Sequence, residues 1–168
     1  MGLVLGATII VIGGFLDDKF DIKPRYKLIF QIAAALILII YGVKIVIITN
    51  PFSSVYQFTN VGVMSIPLTI IWVVGITNAL NLIDGLDGLA SGIGFISSLT
   101  ILIIALLNNR YEAAVLAIIL CGAILGFLPY NFNPASIFMG DTGAQLLGFL
   151  LAAISIGGAI KSAAAFSI

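Results

Sequence analysis

Residues 93–107 read IGFISSLTILIIALL and residues 113–128 read AAVLAIILCGAILGFL, two uncharged runs separated by a short segment that holds Arg110 and Glu112. A bilayer-spanning helix needs about 20 mostly apolar residues. These runs therefore read as membrane segments, and Leu28–Tyr41 and Ile66–Ile76 repeat the pattern. The whole chain agrees: 61% of its residues are hydrophobic and 8% charged, with mean hydropathy +1.25. A soluble globular domain carries about 45–50% apolar residues. Seven basic and seven acidic residues leave no net charge, which argues against a nucleic-acid partner. The lone Cys121 sits inside an apolar run and reads as a packed core thiol.

The fold class expected is an all-α integral membrane protein of about six transmembrane helices with a short external β-hairpin. The segments are Leu3–Leu16, Leu28–Tyr41, a third entered at Pro67 and running to about Ala79, Leu86–Leu107, Glu112–Leu128 stopped by Pro129, and Thr142–Ile156 ended by Gly157-Gly158. Asp17–Lys27 reads as a polar loop. Val43–Ile48 and Val55–Val63 are β-prone runs around the turn Asn50–Ser54 and suggest the hairpin. Residues 1–168 form a single membrane domain. Its first and last segments look truncated, as in a fragment of a larger protein.

Six of the seven acidic residues are aspartates, and they fall in three groups at the ends of apolar runs: Asp17-Asp18-Asp21, Asp84-Asp87 and Asp141. Carboxylates at a bilayer edge are costly and usually mark a function. Two crossings separate each group from the next, so all three share one face. Four of the seven basic residues, Lys19, Lys23, Arg25 and Lys27, lie in the first loop, and the positive-inside rule assigns that face to the cytoplasm. If the groups meet, they form a site for a divalent cation and phosphate. Mg²⁺ suits such a site because it takes one or two carboxylates, waters and phosphate oxygens. Lys23, Arg25 and Lys27 are candidates for the remaining phosphate charge. The chain has no histidine, so zinc–histidine and histidine acid–base chemistry are excluded within it.

Each motif also has a plain structural reading. On that reading Asp17-Asp18 only balance Lys19, Lys23, Arg25 and Lys27 in a solvated loop. Asp84 or Asp87 suits an N-cap of the fourth helix, and Asp141 an N-cap of the sixth. Asn78, Asn81, Asp84 and Asp87 recur at three-residue spacing, which on a helix shares one face. A cap does not explain Asn81.

Gly-Phe-Leu-Asp-Asp (14–18), Asn-Ala-Leu-Asn-Leu-Ile-Asp-Gly-Leu-Asp-Gly-Leu-Ala (78–90) and Phe-Met-Gly-Asp-Thr-Gly (138–143) together resemble the polyprenyl-phosphate N-acetylhexosamine-1-phosphate transferases, of glycosyltransferase family 4. The resemblance covers essentially the whole chain. It implies transfer of an N-acetylhexosamine-1-phosphate, first choice N-acetylglucosamine-1-phosphate, from a UDP-sugar to undecaprenyl phosphate, with Mg²⁺ (or Mn²⁺) and release of UMP. It implies a multi-pass protein of the bacterial plasma membrane with its active site on the cytoplasmic face, starting a cell-wall or surface polymer. Residue by residue, it implies catalytic roles for Asp17, Asp18 and Asp84. Asp141 and Asn81 become metal ligands. Lys27 lies near the diphosphate, and Gly85, Leu86, Asp87, Asn131 and Phe138 line the uridine pocket. Earlier spans and a later histidine-containing loop of the family are absent here, and Ala144 stands where many members have serine. Oligomeric state stays open, a homodimer included.

Two other readings compete. Asp17-Asp18-Lys19-Phe20-Asp21 has the spacing that holds Mg²⁺-diphosphate in prenyl-transferring enzymes. A transporter with a carboxylate-lined ion path is the non-enzymatic alternative.

Overall fold

A computed structural model of the chain describes residues 1–49 and 58–160. It contains six long helices: α1 (Gly2–Phe20), α2 (Pro24–Ile40), α3 (Ser65–Ile83), α4 (Leu89–Leu107), α5 (Tyr111–Asn131) and α6 (Gly140–Ile160). Strands β1 (Ile47–Thr49) and β2 (Phe58–Asn60) pair antiparallel, with Ile48 opposite Thr59. The turn expected at Asn50–Ser54, which would make this pair a hairpin, lies outside the described residues.

Of the six expected spans, four have by themselves the length and composition of a membrane crossing among the described residues. The turn and helix Gly62–Ile83, α4, α5 and the stretch Gly140–Gly158 of α6 are long and apolar enough to cross a membrane. α2 has only 17 residues, and α1 carries Asp17, Asp18 and Lys19 inside its 19. The protein is thus an all-helical membrane protein with four candidate spans.

Several element ends differ from the hydropathy reading for one physical reason. A polar residue ends an apolar run but need not end a helix if the fold supplies its partner. α1 continues past Leu16 to Phe20, and α3 past Ala79 to Ile83. Asp21 then stops α1 by adopting the left-handed conformation (φ 47°), which Asp tolerates better than most residues. Pro24 opens α2, where its missing N–H costs nothing. Pro129 does not stop α5, which runs two residues further to Asn131. Gly157-Gly158 lie within α6 instead of ending it.

α6 is the axis of the bundle: 56% of its span is buried, against 28–33% for the other three. One core cluster joins it to α4 and α5 through Ala90, Ala114, Ala117, Leu147 and Leu151. The other joins it to α1, α2 and α3 through Ile10, Ala34, Leu38, Val73 and Phe149. Successive helices alternate in direction. Consequently the C-terminal ends of α1, α3 and α5 and the N-terminal ends of α2, α4 and α6 gather at one end of the bundle.

Candidate active site

That end carries all three acidic groups singled out in the sequence. Close approach of α1 to α6 makes the gathering possible. A Cβ on Gly14 would lie 2.5 Å from the Thr142 Cα, so only glycine fits. Three residues on, Asp17 is 3% exposed and its Oδ2 lies against the Lys27 ammonium of α2. Lys27 Nζ is also 3.7 Å from Asp141 Oδ1. Asn81, in the last turn of α3, donates from Nδ2 to the same Asp141 oxygen at 2.7 Å. Lys27, Asn81 and Asp141 therefore close a polar layer across three helices, with Asp17 beneath Lys27.

Asp18 faces α6 differently. Its Oδ1 accepts from the Asp141 N–H at 2.8 Å, and its Oδ2 from the Thr142 N–H at 3.1 Å and the Thr142 hydroxyl. Helix N-termini leave N–H groups unpaired and favour negative charge. Asp18 supplies both needs from 123 residues away. The N-cap expectation for Asp141 is thus corrected: Asp141 sits inside the first turn, and the cap comes from α1. Gly140 permits this approach, with φ +66° and Asp18 Oδ1 3.1 Å from where a Cβ would stand.

Asp84 and Asp87 do not cap α4 either; Gly88, at φ 72°, precedes Leu89 there. Asp84 instead follows α3, its N–H bonded to Leu80 O at 3.2 Å. Asp87 Oδ2 accepts from Ala135 N–H at 3.0 Å and Asn133 Nδ2 at 3.3 Å, tying the α3–α4 loop to the α5–α6 loop. Asn131 is buried, accepting from Ser91 Oγ at 2.6 Å and donating to Ile137 O at 3.1 Å. Between these loops lies a cavity of about 180 Å³, lined by Asp84, Gly85, Leu86, Asp87, Asn131 and Phe138 with Met139 and Gly140. It is smaller than the roughly 300–1,000 Å³ of whole-ligand clefts. Its size suits one part of a ligand, such as a single ring.

Charge is strongly felt here. Burial, followed by the charge of Asp141, pushes the Asp84 carboxyl up to about 6. Burial works against the Lys27 ammonium, but the Asp17 hydrogen bond and the charges of Asp141 and Asp17 outweigh it and raise its pKa. Burial likewise opposes ionisation of Asp18, yet its bonds to Thr142 and Asp141 hold its carboxyl below the usual range.

The available metal donors are hard oxygens. Asn81 Oδ1 and Asp17 Oδ1 are buried without a hydrogen bond, beside the Asp141 carboxylate, while Asp17 Oδ2 is held by the Lys27 ammonium. Among the described residues, no three acidic, histidine or cysteine side chains converge closely enough to chelate an ion alone. Such a donor set fits an ion that keeps waters and substrate phosphates as ligands, as Mg²⁺ does. It does not fit a closed protein cage.

Asp21, Lys23 and Arg25 are exposed and stand outside the cluster; the Arg25 guanidinium packs over the Tyr26 ring. The Asp17/Asp18/Asp21 spacing therefore does not assemble as one chelating group. Thr142, Gln31 and Gln145 escaped the sequence reading. Gln31 and Gln145 each follow a site residue by four positions, Lys27 and Asp141, which was the available signal.

Fold and site together define a membrane-embedded helical protein with an acidic, lysine-bearing pocket at one end of its bundle. The profile of glycosyl transferase family 4 matches residues 1–159, and the chain belongs to that family. It is 42% identical over 166 residues, 99% of its length, to a probable undecaprenyl-phosphate N-acetylglucosaminyl 1-phosphate transferase of Bacillus subtilis, covering 46% of that protein. It is 42% identical over 91% of its length to a decaprenyl-phosphate N-acetylglucosaminephosphotransferase of Mycobacterium tuberculosis, covering 40%. A phospho-N-acetylmuramoyl-pentapeptide-transferase of Streptococcus uberis is 42% identical over 93% of the chain, which covers 50% of it. These relatives are phospho-sugar transferases, and the chain spans half of their length or less.

Proposed function

We propose that the protein to which this chain belongs transfers N-acetylglucosamine-1-phosphate from a UDP-sugar to undecaprenyl phosphate and releases UMP, on the cytoplasmic face of the bacterial plasma membrane. The single observation that carries this reading is the convergence of Lys27, Asn81 and Asp141 beside the Asp84–Asp87 cavity. The names of the relatives support the acceptor and the sugar.

In this reading an oxygen of the lipid phosphate attacks the sugar-bearing phosphorus of the UDP-sugar. A new P–O bond forms, the bond to the UMP oxygen breaks, and UMP leaves with that electron pair. Such transfers depend chiefly on positioning and charge stabilisation. Mg²⁺, when bound at Asp141 and Asn81, supplies Lewis-acid neutralisation of the diphosphate. Lys27 adds a fixed positive charge at the same oxygens. The cavity between the Asp84–Asp87 and Asn131–Phe138 loops takes the uracil ring. Asp17, buried against Lys27, holds that ammonium where it meets the phosphates; with a phosphate pKa near 6, little proton removal is needed at neutral pH. Asp18 already has both oxygens engaged by Asp141 and Thr142, which favours holding Asp141 in place over proton transfer.

The test is transfer by the purified full-length protein in detergent, with labelled UDP-N-acetylglucosamine, undecaprenyl phosphate and Mg²⁺. The expected products are UMP and the lipid-linked phosphosugar in equal amounts. Cation flux in proteoliposomes without nucleotide binding would favour the transporter reading instead. Stoichiometric UMP release without lipid would replace direct attack by a covalent aspartyl intermediate.

A further inference from the structure

One turn below the charged layer lies a second polar layer that no step above uses. Gln31 of α2 and Gln145 of α6 are buried, 0% and 2% exposed, and Asn78 of α3 is half-buried between them. Gln31 Nε2 donates to Asn78 Oδ1 and to Gln145 Oε1, each at 3.2 Å. Asn78 Nδ2 donates back to Gln31 Oε1 at 2.6 Å and to Val74 O at 2.8 Å. Each amide shares a helix face with one residue of the charged layer, because residues three or four apart are neighbours on a helix. Gln31 pairs in this way with Lys27, Asn78 with Asn81, and Gln145 with Asp141.

Apolar packing between helices is weakly directional, and in lipid no hydrophobic drive sets one rotation over another. A buried amide network centred on Gln31 is directional. Turning or sliding any one of the three helices breaks its bonds and leaves polar groups with no water to replace them. We propose that Gln31, Asn78 and Gln145 are positioning residues that lock the rotation and height of α2, α3 and α6, so that Lys27, Asn81 and Asp141 converge. The proposal rests on reading the charged layer as the working site. Gln31 takes part in all three bonds between helices, Asn78 in two and Gln145 in one. The effects of single substitutions should follow that order.

The test uses the full-length protein in nanodiscs and the triple variant Gln31→Met, Asn78→Leu, Gln145→Met, which replaces the amide network by apolar groups of similar size. Spin labels on Tyr26→Cys and Leu82→Cys, both exposed, report the α2–α3 distance in a background lacking other reactive cysteines. The triple variant should keep its melting temperature, yet its label distance should broaden. Its Mn²⁺ affinity and kcat should fall about 10–100-fold, the range for groups that orient ligands, with the UDP-sugar KM within about twofold. A folded triple variant with unchanged label distance and Mn²⁺ affinity overturns the proposal. If the triple variant fails to fold, Gln145→Met alone, which removes one bond, is read in the same way. Broadened distances and weakened Mn²⁺ binding in a protein whose wild type shows no transfer would support the positioning role while rejecting the transferase reading.

Discussion

The two sides of α6 are built on different principles. Toward α4 and α5 the contact is made by small apolar residues, Ala90, Ala105, Ala113, Ala114 and Ala117, filled in by Ile124, Leu147 and Leu151. Its buried polar contacts join α4 to α5: Ser91 Oγ donates to Asn131 Oδ1 at 2.6 Å near the loop end, and Ser98 Oγ lies 3.1 Å from Cys121 Sγ deeper in. Toward α1, α2 and α3 the contact is directional: the Asp17–Lys27 pair, the Asp18 cap on α6 and the amide network. Even the buried hydroxyls of Thr69 and Thr77 on α3 are satisfied, by the Ser65 and Val73 carbonyls. One side is replaceable packing. The other carries the candidate site, and its polar groups fix geometry that apolar packing leaves loose.

Substitutions should separate the sides. Asp141→Asn should have the largest effect. It should lower transfer about 10²–10³-fold, the range for losing one fixed electrostatic group. Membrane insertion, checked by protease protection, should be unchanged. Gly14→Val comes next, because its side chain meets Thr142 backbone at 2.5 Å and backbone cannot step aside. Overpacking of this kind costs about 1–3 kcal/mol, visible as a lower melting temperature together with lost transfer. Asp18→Asn keeps the shape but removes the charge facing the α6 N-terminus. A drop of about tenfold in kcat, typical of a supporting group, should appear with the fold intact.

A smaller effect is set by pH. Asp84 titrates at about 6, so it is increasingly neutral as pH falls below that value and ionised above it. A bound cation favours the ionised form. Transfer should therefore decline on the acid side of about pH 6, and Asp84→Asn should flatten that limb of the profile. On the other side of α6, Ala117→Gly should cost about 1 kcal/mol of stability through helix propensity and leave transfer unchanged. A large loss of activity from Ala117→Gly would erase the distinction between the sides.

Much of the site was legible in the sequence because rare groups in an apolar chain need a reason. The three aspartate groups were visible as outliers, and even numbers of crossings assigned them to one end. Asn81 stood out because no cap explains it, and it bonds Asp141 in the fold. Other features were hidden for a physical reason. Hydropathy reads polar residues as ends of segments, whereas Asp17 and Asn81 stay inside helices because Lys27 and Asp141 complete their bonding. Those partners lie on other helices, and one sequence does not show which helices touch. The same blindness concealed the Asp18 cap, which joins residues 123 apart. Two of the six expected spans, α1 and α2, are shorter or more charged than a full span, which their apolar runs alone did not show.

The central claim is that Asp141, Asn81 and Lys27 hold a cation and a diphosphate in one place. Electron–nuclear double resonance on the full-length protein with Mn²⁺ and a UDP-sugar tests this directly. The account predicts a ³¹P coupling to the bound Mn²⁺ that disappears in Asp141→Asn. A Mn²⁺ signal that shows no phosphorus coupling, or one indifferent to Asp141, would contradict it.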